Sequence, residues 1–514
     1  MPFHPQLHRH AAANPGKPAF VVDGQVRTYG ELARGAKAFA AYIAALPAGR
    51  EEGLPALDRV EKIVALDLGN HLLFPELFAG ASGSPNACAV LDPKMLPAQV
   101  ESILKRLRPD LTVTESMDSP AARIAAAMGL AVAPVTAFER LAPDSLLAAG
   151  LPMDEEDGDG TFLVNFTSGT TSQPKAYSRS RATWRASLAR GESLFGLRHG
   201  PATLCPGALA HGLALYALSE ALYSGGTFHT VRQWDAGGVA DALRASGIER
   251  LVAVPTMISG LAERCVASPP VFPSVRDVLT AGAKLNARHV ALMRGMFPQA
   301  RLMEYYGASE LGFISVSTVH PPDPGTPLRT VGRAFPGVGL GIRASGEGSP
   351  ASGAAGTIYV NSDLVCDGYL WGDDGKSFRV DANGATVGDI GELEPNGALT
   401  VMGREGGMVI TGGFNVYPSE VEGVLKNIPG VDEAVVLGVE DDHLGARLVA
   451  VLSGDVEGGK ALLAEAGKAL PRYKLPRDAY RARSWPMTTS GKIARGQVAQ
   501  LLRDGHYDAI DLLA

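Results

Sequence analysis

Cysteine is scarce in this chain: Cys88, Cys205, Cys265 and Cys366 are the whole supply among 514 residues. They lie far apart and form no C-x-x-C, which argues against a disulfide framework or a zinc site. Buried thiols in a reducing compartment are the simpler reading. No uninterrupted apolar run approaches the ~18 residues of a membrane span. The opening "MPFHPQLHRHAAANPGKPAF" has no apolar signal core. A cytoplasmic protein without a membrane span is expected. No long basic run exists, and the formal charge is −7, so nucleic acid is not suggested as a partner. His4, His8 and His10 have no neighbouring acid or cysteine to complete a metal site, and they read as an exposed, frayed terminus.

What is present suits a folded enzyme-sized chain. Apolar residues make up 46% and charged residues 20%, enough to bury a sizeable core. The length corresponds to roughly three domain-sized units. In "AFVVDGQVRTYGELARGAKAFAAYIAAL", Asp23-Gly24 supplies the positive φ angles of a tight hairpin turn. Thr28 and Glu31 then form a capping box, and Leu32, Ala36, Phe39, Ala40 and Ile43 follow at helical spacing. Short apolar runs alternate with helical stretches to about residue 325, the signature of α/β units with mostly parallel strands.

Near residue 320 the texture changes to Gly, Pro and short strands, predicting a small β subdomain. The glycine-rich "GREGGMVITGGFNVYP" then leads to a second capping box at Ser419 and Glu422, and to a separate α+β unit of about one hundred residues. The predicted organisation is an N-terminal domain over 1–403 (α/β subdomains 1–160 and 161–325, β subdomain 326–403), a hinge at 404–408, and a C-terminal domain at 409–514.

The stretch "FTSGTTSQPKAYSRS" follows the strand-like "TFLVNF". It is not a Walker loop: Pro174 precedes Lys175, Ala176 follows it, and the second glycine and the magnesium-binding hydroxyl are missing. The hydrolase elbow G-x-S-x-G is also absent. The hydroxyl and backbone donors of Thr167, Ser168, Thr170, Thr171 and Ser172, the small Gly169 and the charge of Lys175 nonetheless suit an anion. A solvated linker is the competing reading of this stretch taken alone.

Its company decides between them. "YYGASELG", "VGDIGELEPNG", "GREGGMVITGGFNVYPSEVE" and "MTTSGKIAR" follow in order. With these motifs nearly the whole chain resembles the adenylate-forming superfamily of acyl-CoA synthetases, adenylation domains and luciferases. The resemblance implies a two-step reaction. ATP activates a carboxylate as an acyl-adenylate with release of pyrophosphate, and a thiol then takes the acyl group.

It further implies that Thr167 to Lys175 hold the β- and γ-phosphates, Tyr306 and Gly307 border the nucleotide with the Tyr306 ring on adenine, and Gly282 and Ala283 line the adenine side. Ser309 would hydrogen-bond the α-phosphate, and Glu310 would hold Mg2+ as a hard oxygen ligand. Asp389 and Arg404 would take the ribose, and Lys492 would bridge the carboxylate and α-phosphate oxygens. His211 and Tyr305 would border the acyl group, Gly412 and Gly413 a pantetheine tunnel, and Gly406 would be the hinge.

Three departures from the family pattern stand out. Ser172 and Ala176 replace glycines, each at a cost of roughly 1 kcal/mol if φ is positive. The hinge position is Gly406, and Gly407 replaces the acid that usually follows. The stretch "PGALAHGLALYALSEAL" carries no aspartate to pair an α-ammonium, so an acid other than an α-amino acid is expected. The chain ends soon after Lys492 with no carrier segment, which favours free coenzyme A as the acceptor. A separate carrier protein and a nucleotide-binding pseudoenzyme are the alternatives.

Overall fold

The computed structural model describes residues 2–47, 57–139, 159–167, 174–245, 247–263, 270–319, 329–343, 355–405, 407–412, 414–456, 458–488 and 491–510. It is a mixed α/β fold with a large N-terminal domain and a small C-terminal one.

Local signals near the N-terminus are realised as read. Strands Pro18–Val22 and Gln25–Thr28 pair around Asp23 and Gly24, whose φ angles are 47° and 80°. Thr28 accepts from the Glu31 amide while its own amide donates to Glu31, starting the helix Tyr29–Ala44. Its face of Leu32, Ala36, Phe39 and Ile43 is fully buried. Buried Lys62 closes the far end by donating to the carbonyls of Ile43, Ala44 and Leu46, where a cation meets the negative end of the helix dipole.

The terminal histidines are not frayed. Helix His4–Ala13 is anchored by Phe3 and Leu7, both at 0% exposure, and His4 is buried with its Nε2 3.0 Å from the Ala79 carbonyl oxygen. Two apolar anchors outweigh the polar composition of the segment. Among the described residues no His, Cys, Asp and Glu cluster of three or more is arranged to hold a metal, and no helix is long and apolar enough to cross a membrane.

Two large sheets form the N-terminal domain. One has seven strands among the described residues, in the order Gly368–Trp371, Lys175–Ser180, Thr161–Thr167, Asn86–Val90, Lys62–Asp67, Leu111–Thr114, Val132–Pro134. The other has nine and runs from Arg333–Ala334 through Gly312–Val319, Arg301–Ala308, Asp277–Ala281 and Arg250–Ala253 to the N-terminal hairpin. The sheets therefore interleave in sequence rather than divide at residue 160. The hairpin joins the second sheet, where Phe20 stacks on Phe228 at 5.8 Å. Gly368–Trp371, inside the β-rich region, crosses to the first sheet. Partner choice of this kind is set by tertiary packing, which local periodicity does not report.

A third sheet, built on Gly356–Asn361 and ending at Leu399–Arg404, forms the β-rich region. The C-terminal sheet pairs Val431–Asp441, Gly445–Gly454, Asp478–Arg481 and Asp508–Ile510 over a separate core of Val421, Leu425, Val436, Ala450 and Leu452. The second capping box is not formed. Helix Pro418–Leu425 has Tyr417 at its N-cap with no side-chain cap. Ser419 instead donates to the Met402 carbonyl, and Glu422 accepts from the Val436 amide at 2.7 Å and from Arg495. Tertiary partners took both side chains.

Candidate active site

Thr161–Thr167 and Lys175–Ser180 are antiparallel, with Thr167 opposite Lys175. The candidate phosphate loop therefore joins two antiparallel strands rather than a strand and a helix. Ser168, Gly169, Thr170, Thr171 and Ser172 lie outside the described residues. Lys175 is largely buried, and its Nζ donates to Asp374 Oδ2 at 2.9 Å and Ser377 Oγ at 3.0 Å. It also stands 5.4 Å from the centroid of the Tyr369 ring. Hydrogen bonds from Ser377, and then from Lys175, hold the Asp374 carboxyl far below its ordinary range. Ala176 lies within the strand and is not among the residues with positive φ. The strain expected there does not arise, because Ala176 has extended strand backbone and pairs with Phe166.

Tyr306 and the two ribose candidates form one hydrogen-bonded group. Asp389 lies opposite Arg404 on paired strands. Tyr306 Oη donates to Asp389 Oδ2 at 2.5 Å, and Arg404 Nε donates to Oδ1 at 2.8 Å. Burial, and then the Asp389 charge, push the Tyr306 hydroxyl well above its usual range, so it stays a donor. Gly307 has no room for a side chain: a Cβ there would sit 2.5 Å from the Gly312 carbonyl oxygen. The turn that carries Ser309 and Glu310 is strapped from behind. Arg179, 5% exposed, donates to the Ser309 carbonyl at 2.5 Å and also to the Leu364 carbonyl, and the Glu310 carbonyl accepts from the Cys366 amide at 2.7 Å. Tyr369 donates its hydroxyl to Glu310 Oε1.

Lys492 arrives from the other domain. Its loop is closed by hydrogen bonds between the Thr488 amide and the Lys492 carbonyl at 2.7 Å and between the Gly491 amide and the Thr488 carbonyl at 3.0 Å. It docks where Thr256 Oγ1 donates to the Gly491 carbonyl at 2.8 Å. A Cβ on Gly282, whose φ is 87°, would lie 3.0 Å from Lys492 Cε and 3.6 Å from its Nζ. The lysine thus rests against Gly282, the residue before Ala283. Its side chain keeps an opening to solvent, yet the surrounding cleft lowers its pKa by desolvation, and Arg404 lowers it further. The two domains also meet through an Arg288–Asp432 ion pair and a hydrogen bond from the Ala287 amide to Asn427 at 3.2 Å.

Tyr305 points to the opposite sheet face from Tyr306. Its ring lies 4.5 Å from that of Phe313, which also meets Tyr216 at 5.0 Å. His211 precedes the helix Gly212–Ser224, and its Nε2 is 3.3 Å from Oδ2 of buried Asp92. Gly412, with φ 55°, turns the hairpin Val409–Thr411 to Phe414–Val416 and packs on Leu444 of its own domain. Gly406 and Gly413 lie outside the described residues, and Gly407 donates its amide to the Arg404 carbonyl at 3.0 Å. Sequence reasoning missed Tyr369, Asp374, Ser377, Arg179, Asp92 and Thr256. The Asp-Gly pair at Asp374-Gly375 marked a turn, but nothing local marked the partners across the chain.

Known proteins resemble this chain along nearly all of it. A family model described as AMP-binding enzyme matches residues 7–370, and one described as AMP-binding enzyme C-terminal domain matches 420–492. An uncharacterized acyl–CoA ligase of Bacillus subtilis is 32% identical over 86% of this chain and 88% of its own length. The long-chain-fatty-acid–CoA ligase FadD13 of Mycobacterium tuberculosis is 25% identical over 84% and 86% of the two chains. Among solved structures, the amide bond synthetase McbA of Marinactinospora thermotolerans is similar with TM-score 0.81 and 25% identity over 97% of this chain and all of that one. ATP-bound MatB of Rhodopseudomonas palustris is similar in fold, with TM-score 0.80 and 22% identity over 98% and 99%.

Proposed function

The chain belongs to the AMP-binding enzyme family, and from that premise we propose that it is an AMP-forming acid–thiol ligase. It activates a carboxylic acid with ATP and passes the acyl group to the thiol of coenzyme A. The observation that carries this reading is the seat of Lys492. A lysine from the C-terminal domain reaches Gly282, beside the group formed by Tyr306, Asp389 and Arg404.

In the first step a carboxylate oxygen attacks the α-phosphorus, and the bond to the bridging oxygen of pyrophosphate breaks. Negative charge builds on the phosphoryl oxygens, and cations placed in advance stabilise it most. Lys492 supplies charge between the carboxylate and the α-phosphate, Ser309 a hydroxyl donor, and Lys175 with the loop Thr167 to Ser172 the β- and γ-phosphate contacts. Asp389 accepts from the ribose hydroxyls, and the Tyr306 ring offers a face to adenine. In the second step the thiol sulfur attacks the acyl carbon, its proton leaves to solvent, and AMP departs.

The residues present fit magnesium. Glu310 is a half-buried carboxylate with Oε1 occupied by Tyr369. Its other oxygen remains for a cation whose further ligands come from phosphate and water, the usual pattern for this ion. Bound there, magnesium offsets phosphate charge.

The acid is not an α-amino acid. The stretch Pro206 to Leu222 carries no aspartate to pair an α-ammonium; its one carboxylate, Glu220, is buried and committed to Arg250 at 2.8 Å, and Asp92, buried beside the start of the helix, faces His211 Nε2 at 3.3 Å. His211 and Tyr305 border the acyl group, and the bulk of Tyr305 bends or shortens its pocket. The C-terminal domain pivots at Gly406 and brings Gly412 and Gly413 to the pantetheine arm. The test is incubation with ATP, magnesium, coenzyme A and a panel of aryl, medium-chain and long-chain acids, read by mass spectrometry. Acyl-CoA and AMP in equal amounts are expected. ATP binding without acid-dependent AMP from any member of the panel contradicts catalysis and favours a pseudoenzyme.

A further inference from the structure

Tyr369 touches two groups that the proposed mechanism treats separately. Its strand, Gly368–Trp371, leaves the β-rich region and pairs with Lys175–Ser180, placing Tyr369 opposite Tyr177. Trp371 Nε1 donates to the Pro174 carbonyl at 3.1 Å, tying the strand to the residue before Lys175. Phe378 packs edge-on against the Tyr369 ring at 6.0 Å and limits its rotation. From this fixed ring the hydroxyl donates to Glu310 Oε1, while Lys175 Nζ stands 5.4 Å from the ring centroid.

We propose that Tyr369 is a positioning residue that sets both the magnesium carboxylate Glu310 and the phosphate lysine Lys175 for ATP. The proposal rests on the roles assigned above to those two residues. The hydroxyl fixes one oxygen of Glu310 and so orients the other toward the cation. Outer-shell hydrogen bonds of this kind commonly govern metal affinity by about tenfold or more. The ring does different work. Lys175 donates to Asp374 and Ser377, and a phosphate that takes its protons must draw it away from both. The π-face gives the ammonium a partner that does not compete with phosphate for its protons. Lys175 can therefore change hydrogen-bond partners without leaving the cradle.

The test is equilibrium ATP binding by calorimetry, with no turnover, across a magnesium series and in EDTA. Four variants are compared with the parent protein: Tyr369→Phe, Tyr369→Leu, Glu310→Gln and the double variant of Tyr369→Phe with Glu310→Gln. Tyr369→Phe keeps the ring and loses the hydroxyl. The magnesium concentration for half-maximal enhancement should rise about tenfold, while affinity in EDTA stays within about twofold of the parent. Tyr369→Leu should show the same rise and a further loss of roughly threefold in EDTA. In the Glu310→Gln background, Tyr369→Phe should add nothing to the magnesium response. An unchanged magnesium response in Tyr369→Phe overturns the proposal, as does an equal loss with and without magnesium. A normal magnesium response in Glu310→Gln itself removes the role of Glu310, and that of Tyr369 with it. Acyl-CoA formation by the parent protein is measured apart from all of these, so failure of the positioning role and failure of the ligase reading are told apart. Should the leucine variant not fold, Tyr369→Phe alone decides.

Discussion

Lys175, from the N-terminal domain, and Arg404, at the end of the strand Leu399–Arg404 that pairs with that domain's Asp389–Leu393, each rest on a carboxylate: Asp374 at 2.9 Å and Asp389 at 2.8 Å. Lys492, from the C-terminal domain, has no hydrogen bond to its ammonium and no carboxylate within ion-pair distance among the described residues. The N-terminal cations are held before any substrate arrives, which lowers the reorganisation needed as charge develops. The C-terminal cation is delivered by a loop docked through Thr256 and Gly491, and among the described residues the lysine has no ion pair of its own to break when it is drawn out. On the proposed roles, the cations of the N-terminal side are fixed in place, and Lys492, needed in the first step alone, is loosely seated.

The largest effect should fall on one half-reaction. Lys492→Ala should reduce acid-dependent pyrophosphate release at least 100-fold, about 2.7 kcal/mol or more. Coenzyme A transfer from a supplied acyl-adenylate should stay within about threefold of the parent. Stopped assays of both steps on one preparation check this. The cleft and Arg404 lower the lysine pKa, so loss of the cation on raising pH should begin below the ordinary lysine value of about 10.4. That alkaline limb should appear in the first half-reaction and vanish in Lys492→Ala.

A change on the N-terminal side should instead impair both steps. Asp389→Asn removes the charged acceptor of Tyr306 and Arg404 and should weaken ATP binding by roughly 20-fold, in line with loss of charge-assisted hydrogen bonds. Titration calorimetry reads it directly. Gly282→Ala should act on the contact itself. Its Cβ would crowd Lys492 Cε at 3.0 Å from a backbone with φ 87°, so adenylation should fall about tenfold while transfer from supplied adenylate changes little. The smallest effect belongs to the exposed Arg288–Asp432 pair, with side-chain exposures of 34% and 43%. Arg288→Ala should slow adenylation no more than about threefold, measured by pyrophosphate exchange.

Legibility in the sequence followed the range of the interaction. The Asp23-Gly24 turn and the Thr28–Glu31 capping box depend on neighbours in the chain and were readable. So were the motif positions Tyr306, Asp389 and Arg404, which the fold joins into one group. The helix at His4–Ala13 was not, because its anchors Phe3 and Leu7 find their cover elsewhere in the fold. Ser419 and Glu422 matched a capping pattern, yet Met402, Val436 and Arg495 claimed them. Tyr369 gave no signal, since its meaning depends on a strand that changes sheets to reach Lys175. Local chemistry was written in order along the chain, and the long-range partners that orient it were not.

Joining the two domains tests the central claim most directly. Arg288→Cys and Asp432→Cys, which replace the interdomain ion pair, can be bridged by a short thiol-cleavable reagent, with the parent protein treated alike as the control for native cysteines. The bridged protein should retain acid-dependent pyrophosphate exchange within about threefold. It should lose at least tenfold in acyl-CoA formation from supplied acyl-adenylate, and reductant should restore that step. Acyl-CoA formation at the unbridged rate while the bridge is intact would contradict the account, because Lys492 would then not have to leave for the second step.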